Sequence, residues 1–290
     1  MGSSLIETVV DEIVKTKDEK GNTLQKVNMN RIKLSEIHEQ PWFPKTLRDG
    51  LTDELQCVFK FGKVYEPIVP RLAKAIQAAG ARGVVDLCSG AGGPWTWLRR
   101  SLAQQMNSEQ IEICLTDKFP NIAAFEREKE VSGGAITYCR DSVDASKIPP
   151  SLDGFRVLFT SFHHFSPDEA AAILQDAVDN RRGIAVFEAA RRSPLTILLT
   201  SIVFFGGFLV VPLIRPFRAS LLFWTYLIPV VPFVLWLDGV ISCLRSYPPA
   251  ELAELVSRVK PQDYVWDIGE VRGLLTPVTY MLGYPAPSPK

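Results

Sequence analysis

Apolar residues recur along the middle of the chain with two alternating periods. From Pro67 to Ala79, the set Ile68, Val69, Leu72, Ala75, Ile76 and Ala79 falls on one helix face, and Gly80 follows as a stop. Gly83 to Leu87 is a short apolar run ending at Ser89-Gly90-Ala91-Gly92-Gly93, after which Pro94 can open a helix to about Met106. The spacing predicts strand, glycine turn, helix. The alternation continues with strands at Ile111 to Leu115, Ala135 to Tyr138, Arg156 to Thr160 and Gly183 to Phe187. Helices are expected over Asn121 to Glu130 and from the capping box Ser166-Pro167-Asp168-Glu169 to about Val178. Strands alternating with helices argue a doubly wound, mostly parallel α/β sheet with right-handed crossovers. Pro248 to Val259 reads as a helix, Tyr264 to Val271 and Val278 to Leu282 as a closing hairpin, and the tail from Pro285 is expected to fray.

A different pattern interrupts this order. Leu195 to Ile214 and Ser220 to Leu237 carry no charge and are separated by Arg215, Pro216, Phe217 and Arg218. As a helix the first run would extend about 30 Å, roughly the thickness of bilayer hydrocarbon. Two spans joined by a tight turn is the literal reading, and Trp224, Tyr226 and Trp236 suit an interfacial belt. Pro212, Pro229 and Pro232 interrupt helical bonding, so a re-entrant hairpin or a buried helical pair stays open. The expected organisation is an N-terminal segment 1–65 covering the acceptor side, an α/β core 66–190, an inserted hydrophobic helical hairpin 191–247, and a C-terminal helix with the last strands, 248–290.

Composition narrows the function classes. Of 290 residues 47% are hydrophobic and 22% charged, as in a folded globular chain. Lysine plus arginine and aspartate plus glutamate each number 32, so no global positive field gathers nucleic acid, and no nucleic-acid partner is expected. Five cysteines form no C-x-x-C pair and no secretory n-region precedes them, which fits a reducing compartment. With only three histidines, no metal site is expected.

In an open α/β sheet, ligands bind beyond the carboxyl ends of the strands where strand order reverses. Gly90 and Gly92 permit close backbone approach, and the helix after Pro94 offers free amides. Asp86, Asp117 and Asp141 each stand at or just beyond a strand end. Carboxylates there can receive an amino group, a ribose diol and the exocyclic amine of adenine respectively. On these residues the chain resembles class I S-adenosylmethionine-dependent methyltransferases: VVDLCSGAGG is similar to their first motif, LTDK to the acid-ended second strand, YCRDSVDA to the third and VLFTSFHHF to the fourth-strand motif. The resemblance covers about residues 67–190 well and the last 30 weakly, and it departs at Cys88, where the family commonly has its first glycine.

The resemblance implies a seven-stranded, Rossmann-like methyltransferase fold and S-adenosylmethionine as cofactor. It implies that Asp86, Gly90 and Gly92 hold the methionine end, Asp117 the ribose, and Asp141 with Ser142 the adenine, with Cys88 and Lys118 also among the cofactor-binding residues. It places His163 and His164 near the donor methyl as candidate bases; by their own positions, Glu188 at the end of the fifth strand and His38, Glu39 and Trp42 in the N-terminal stretch are further acceptor-side candidates. Because the apolar insertion follows the fifth strand, the expected acceptor is a small, apolar or lipid-like molecule. The expected location is a membrane reached through 195–237, with the catalytic domain in the cytoplasm. Two other readings stay open: a membrane-tethered cofactor-binding or assembly protein without chemistry, and an NAD-dependent oxidoreductase. The last is disfavoured because Trp95 stands where G-x-G-x-x-G needs its third glycine.

Overall fold

A computed structural model of the chain describes residues 10–17, 23–107, 111–214, 217–260, 263–273 and 276–286. The first elements are an antiparallel pair, β1 (Val10–Lys17) and β2 (Thr23–Met29), followed by α1 (Lys45–Gly62) and α2 (Val69–Ala78). The alternating region supplies β3 (Gly83–Leu87), α3 (Trp95–Met106), β4 (Glu112–Leu115), α4 (Ile122–Val131), β5 (Ile136–Tyr138), β6 (Phe155–Phe159), α5 (Pro167–Asp179) and β7 (Ile184–Glu188). Two longer helices come next, α6 (Pro194–Val210) and α7 (Val230–Arg245), then α8 (Pro249–Ser257), β8 (Tyr264–Val271) and β9 (Val278–Pro285). Residues 287–290, in the tail expected to fray, and the turn residues 215–216 lie outside the described residues.

One sheet of seven strands runs β5-β4-β3-β6-β7-β9-β8. The first five are parallel, and β9 enters antiparallel between β7 and β8, so the sheet is mixed. Chain order reverses at β3, which pairs with both β4 and β6. Ligand chemistry is therefore expected over the carboxyl end of β3.

Alternation across the sheet divides the core in two. Val84, Phe155, Val157, Ala185 and Phe187 pack on one face with Leu72, Ile76, Trp95 and Leu98 of α2 and α3. Val85, Leu158 and Val186 pack on the other with Ile173, Leu174 and Ala177 of α5 and Leu252 and Leu255 of α8. A third cluster lies apart, where Phe43 and Leu51 meet Val211, Ile214, Leu221, Val231 and Val234.

That third cluster corrects the two-span reading of the apolar runs. Helices α6 and α7 pack on one another and on α1, and Val231 and Val234 of α7, with Val211 and Ile214 just after α6, are buried in this cluster. Among the described residues no single helix is long and apolar enough to cross a membrane; only Ala219–Leu227 together with Val230–Arg245 passes by length and composition, and that pair is bent by 73°. The break falls at Ile228 and Pro229, where Pro229 has no N–H to continue a helical ladder.

Helix α1 escaped the periodicity of the sequence for a physical reason. Its inward positions include Arg48, Asp53 and Glu54, while Leu55 is exposed. Asp53 is buried against Arg127 at 2.8 Å and against Arg218. Glu54 is 0% exposed and both of its carboxylate oxygens lack a hydrogen-bond partner. Burial pushes its carboxyl up from 4.5 to about 7. A carboxyl that holds its proton more tightly folded than unfolded loses stability as pH rises from about 4.5 to about 7. Glu54→Gln should accordingly match the parent at pH 4 and exceed it by about 3 kcal/mol at pH 8. Urea unfolding at the two pH values checks this, and an equal difference at both would contradict it.

Candidate functional site

The glycine turn adopts the backbone that the sequence required of it. Gly90, Gly92 and Gly93 have φ of 56°, 103° and 54°, and Cys88 also takes a left-handed φ of 57°. A non-glycine residue is thus held where glycine is favoured, at the position where the chain departs from the family motif. The turn is tied down by Asp117, which follows β4. Its Oδ2 accepts from the Gly90 N–H at 2.8 Å and its Oδ1 from the Phe119 N–H at 2.8 Å. Each oxygen retains a second lone pair. Burial raises the Asp117 carboxyl, against the pull of those two N–H groups and the charges of His38 and His164.

Asp86, in β3, is 1% exposed, and neither carboxylate oxygen has a hydrogen-bond partner. Desolvation pushes its carboxyl up to about 7 despite nearby Ser89 and Trp95. An orphaned acid under a glycine turn is an unmet demand for a cationic donor.

Above this floor opens a cavity of about 640 Å³, within the range of small-molecule and cofactor pockets. Asp86, Cys88, Ser89 and Gly90 line its base, and Asp117, Lys118 and Phe119 one side. The segment before α1 contributes Glu36, His38 and Glu39, and α6 and α7 contribute Thr196, Leu199, Trp236 and Asp238. The apolar helices thus wall the cavity.

Sequence-predicted residues are unequally placed around it. His38, Glu39 and His164 line the cavity; His163 and Glu188 are buried beside it. Trp42 is 71% exposed, outside the lining, with its ring against Phe43. Asp141 and Ser142 are exposed and outside the lining, Ser142 Oγ donating to the Lys118 carbonyl at 2.7 Å. Gly92 also lies outside it, facing Glu128.

All three histidines of the chain meet beside the cavity. His38 Nδ1 lies 2.9 Å from Asp238 Oδ2, whose carboxylate also accepts from the Ile37 and His38 amides. Desolvation works to lower the His38 pKa, but Asp238 and Glu36 outweigh it and raise it. His164 Nδ1 abuts Glu39, which Arg245 also contacts at 2.9 Å. His163 Nδ1 is 2.8 Å from Glu188 Oε2, and burial of this imidazole is overcome by Glu188 and Glu36, lifting it to about 10. Glu36, Asp238 and Arg245 were not singled out from sequence. Asp238 carries the one legible signal, a lone acid inside the apolar helix VVPFVLWLDGVISCLR.

No family model matches the chain, and no curated protein is significantly similar to it. Solved structures are similar in shape. Human N-acetylserotonin methyltransferase in complex with SAM is 12% identical with a TM-score of 0.49, over 87% of this chain and 63% of that one. An O-methyltransferase family 2 protein from Planctomyces limnophilus, in complex with apigenin, is 11% identical with a TM-score of 0.47, over 82% and 62%. An O-methyltransferase family protein from Burkholderia thailandensis is 13% identical with a TM-score of 0.45, over 79% and 58%. The chain therefore spans less than two thirds of each of these proteins. The fold assignment rests on strand order, with β3 at the point of reversal and β9 antiparallel inside the far edge. In that topology, in its glycine turn and in its strand-end acids, the chain resembles the class I S-adenosylmethionine-dependent methyltransferases.

Proposed function

We propose that the protein is an S-adenosylmethionine-dependent methyltransferase acting on a small apolar acceptor delivered from a membrane surface. The observation that carries the cofactor assignment is Asp86, a buried carboxylate without a partner at the cavity floor. An α-amino group supplies the cationic donor it lacks, and the free lone pairs of Asp117 suit a ribose diol. Cys88, Gly90 and Lys118 complete the cofactor side, with Phe119 beside them. Asp141 and Ser142 reach a bound base only if their loop turns inward. When bound, the cofactor supplies an electrophilic methyl group on a sulfonium.

The chain's own task is to hold the acceptor at near-attack range, about 3–3.5 Å, and to take its proton. His38 is placed for the second role. With Nδ1–H donated to Asp238, its Nε2 is left as an acceptor on an imidazole that lines the cavity. His164 stands edge-on to it, the ring centroids 5.6 Å apart. His163, off the cavity and locked to Glu188, serves to position the wall.

Calorimetry tests the cofactor assignment. Wild-type protein should bind S-adenosylmethionine and S-adenosylhomocysteine, and Asp86→Asn should weaken the former by about 10- to 100-fold, the worth of one charged hydrogen bond. No heat with either compound on folded wild-type protein would end this reading. Incubation with tritiated S-adenosylmethionine and lipid extract then identifies the methylated product, and donor binding without any product would favour a binding protein.

Support for the membrane surface comes from the outer side of the wall. Leu198, Ile202, Leu209, Leu213, Phe217, Leu227 and Phe233 are exposed, Leu209 by 78% and Leu227 by 71%. Apolar patches of this kind mark interaction surfaces. The protein should float with phosphatidylcholine vesicles, and the double variant Leu209→Glu, Leu227→Glu should remain in the soluble fraction. Wild-type protein that stays soluble beside the vesicles would remove the membrane from the proposal.

A further inference from the structure

With its imidazoles neutral, the histidine wall would hold more negative charge than Arg245 balances. Glu36, Glu188 and Asp238 are buried and Glu39 is half-buried, and all four carboxylates converge on three imidazoles and one guanidinium, Arg245. With neutral imidazoles the group carries a formal excess of about three negative charges, which the interior tolerates poorly.

Geometry within the group is specific. His163 Nδ1 is engaged by Glu188 at 2.8 Å, while its Nε2, on a side chain 1% exposed, has no hydrogen-bond partner. That nitrogen points towards Glu36 Oε1 at 3.2 Å without hydrogen-bonding geometry. His164 Nδ1, which abuts Glu39 and must release that contact to ligate, lies 3.8 Å from the same oxygen. Metal–ligand bonds of about 2.0–2.1 Å in a tetrahedron place donor atoms about 3.4 Å apart. The two distances, 3.2 and 3.8 Å, bracket that value. Two imidazole nitrogens and one carboxylate oxygen gather around one point, with the cavity open beside His164 and Glu36. Glu188 stands behind His163 as outer carboxylates do behind metal-bound histidines, fixing the tautomer that exposes Nε2.

We propose that Glu36, His163 and His164 form a binding site for a divalent transition cation of the zinc type, with a further position supplied by Glu39 or by water from the cavity. Imidazole with carboxylate suits zinc and iron(II) better than magnesium or calcium, which prefer oxygen alone. The site is independent of the methyl-transfer reading, since none of its ligands belongs to the cofactor side. The competing occupant is a proton on His163 Nε2, making an imidazolium between Glu188 and Glu36; a cation must displace it.

The test uses the full chain, stripped with chelator and titrated with Co²⁺ followed by visible absorption, with Zn²⁺ as competitor. One equivalent of Co²⁺ per chain with d–d bands of low-symmetry coordination, displaced by Zn²⁺, is the expected result. Glu36→Gln and His164→Gln, each checked for folding by circular dichroism, should weaken Co²⁺ at least about 10-fold, and Glu188→Gln about 10- to 100-fold. Absence of the bands in folded wild-type protein, with nitrogen NMR showing His163 protonated on both ring atoms, would overturn the site. So would Co²⁺ binding that survives both Glu36→Gln and His164→Gln unchanged, since the ion would then lie elsewhere.

Discussion

Replacing His38 with alanine is expected to lower kcat by about 10²- to 10⁴-fold, the range that a positioned general base contributes. The Kd for S-adenosylhomocysteine should change by less than about twofold. The expectation follows from the division of the cavity. Asp86, Gly90 and Asp117 stand at one end, under the carboxyl edge of β3 and β4, and His38 with Asp238 stands on the wall built from α7 and the segment before α1. Removing the imidazole leaves in place the turn and the backbone N–H groups that Asp117 accepts from. Asp238→Asn probes the same dyad more finely. An amide cannot fix Nδ1–H as the carboxylate does, so the ring is free to adopt the wrong tautomer and kcat should fall while the fold persists. Methyl incorporation into the acceptor found with tritiated donor measures the first quantity, and calorimetry the second. A kcat in His38→Ala equal to that of the parent would show that the acceptor needs no base at this position.

The alternating strands and helices from 67 to 190 were legible because hydrophobic period, glycine stops and capping residues agree at each step. The Ser166 box, for example, forms as the sequence implied, with Ser166 Oγ accepting from the Glu169 amide. Strand-end acids were legible for the same reason, since a parallel sheet fixes where strands end. What sequence could not show was the partner wall. Glu36 meets His163 and Asp238 meets His38 across separations of about 130 and 200 residues, and no local period records such contacts. Helix α1 was hidden because Arg48, Asp53 and Glu54 face inward, inverting the pattern that marks an amphipathic helix. The apolar runs misled in the opposite sense. Their length matched a bilayer, yet Val211, Ile214, Val231 and Val234 spend their hydrophobicity on Phe43 and Leu51 of the same chain. Uncharged length alone does not distinguish lipid from protein as the covering phase.

Gly92→Ala is expected to destabilise the protein by about 3–5 kcal/mol and to abolish detectable cofactor binding in calorimetry. Two costs combine. Gly92 has φ of 103°, where an L side chain is strained. An added Cβ would also stand 2.7 Å from Cγ of Glu128. Glu128 is buried on α4, accepts from Gln56 Nε2 at 3.0 Å and is hydrogen-bonded to Thr96. It thus joins α1 to the first turn of α3. Displacing it leaves a buried carboxylate with broken charged hydrogen bonds and shifts the turn whose Gly90 amide Asp117 holds. Gly133→Ala separates the two costs, because Gly133 has φ of 66° with nothing within 4 Å of an added Cβ. That variant should lose only about 1–2 kcal/mol, the strain of a left-handed residue. Urea midpoints of the two variants decide the matter. Equal losses would mean that Glu128 yields without cost; a larger loss at Gly92 reports the Glu128 contact together with the greater strain of φ 103° over 66°.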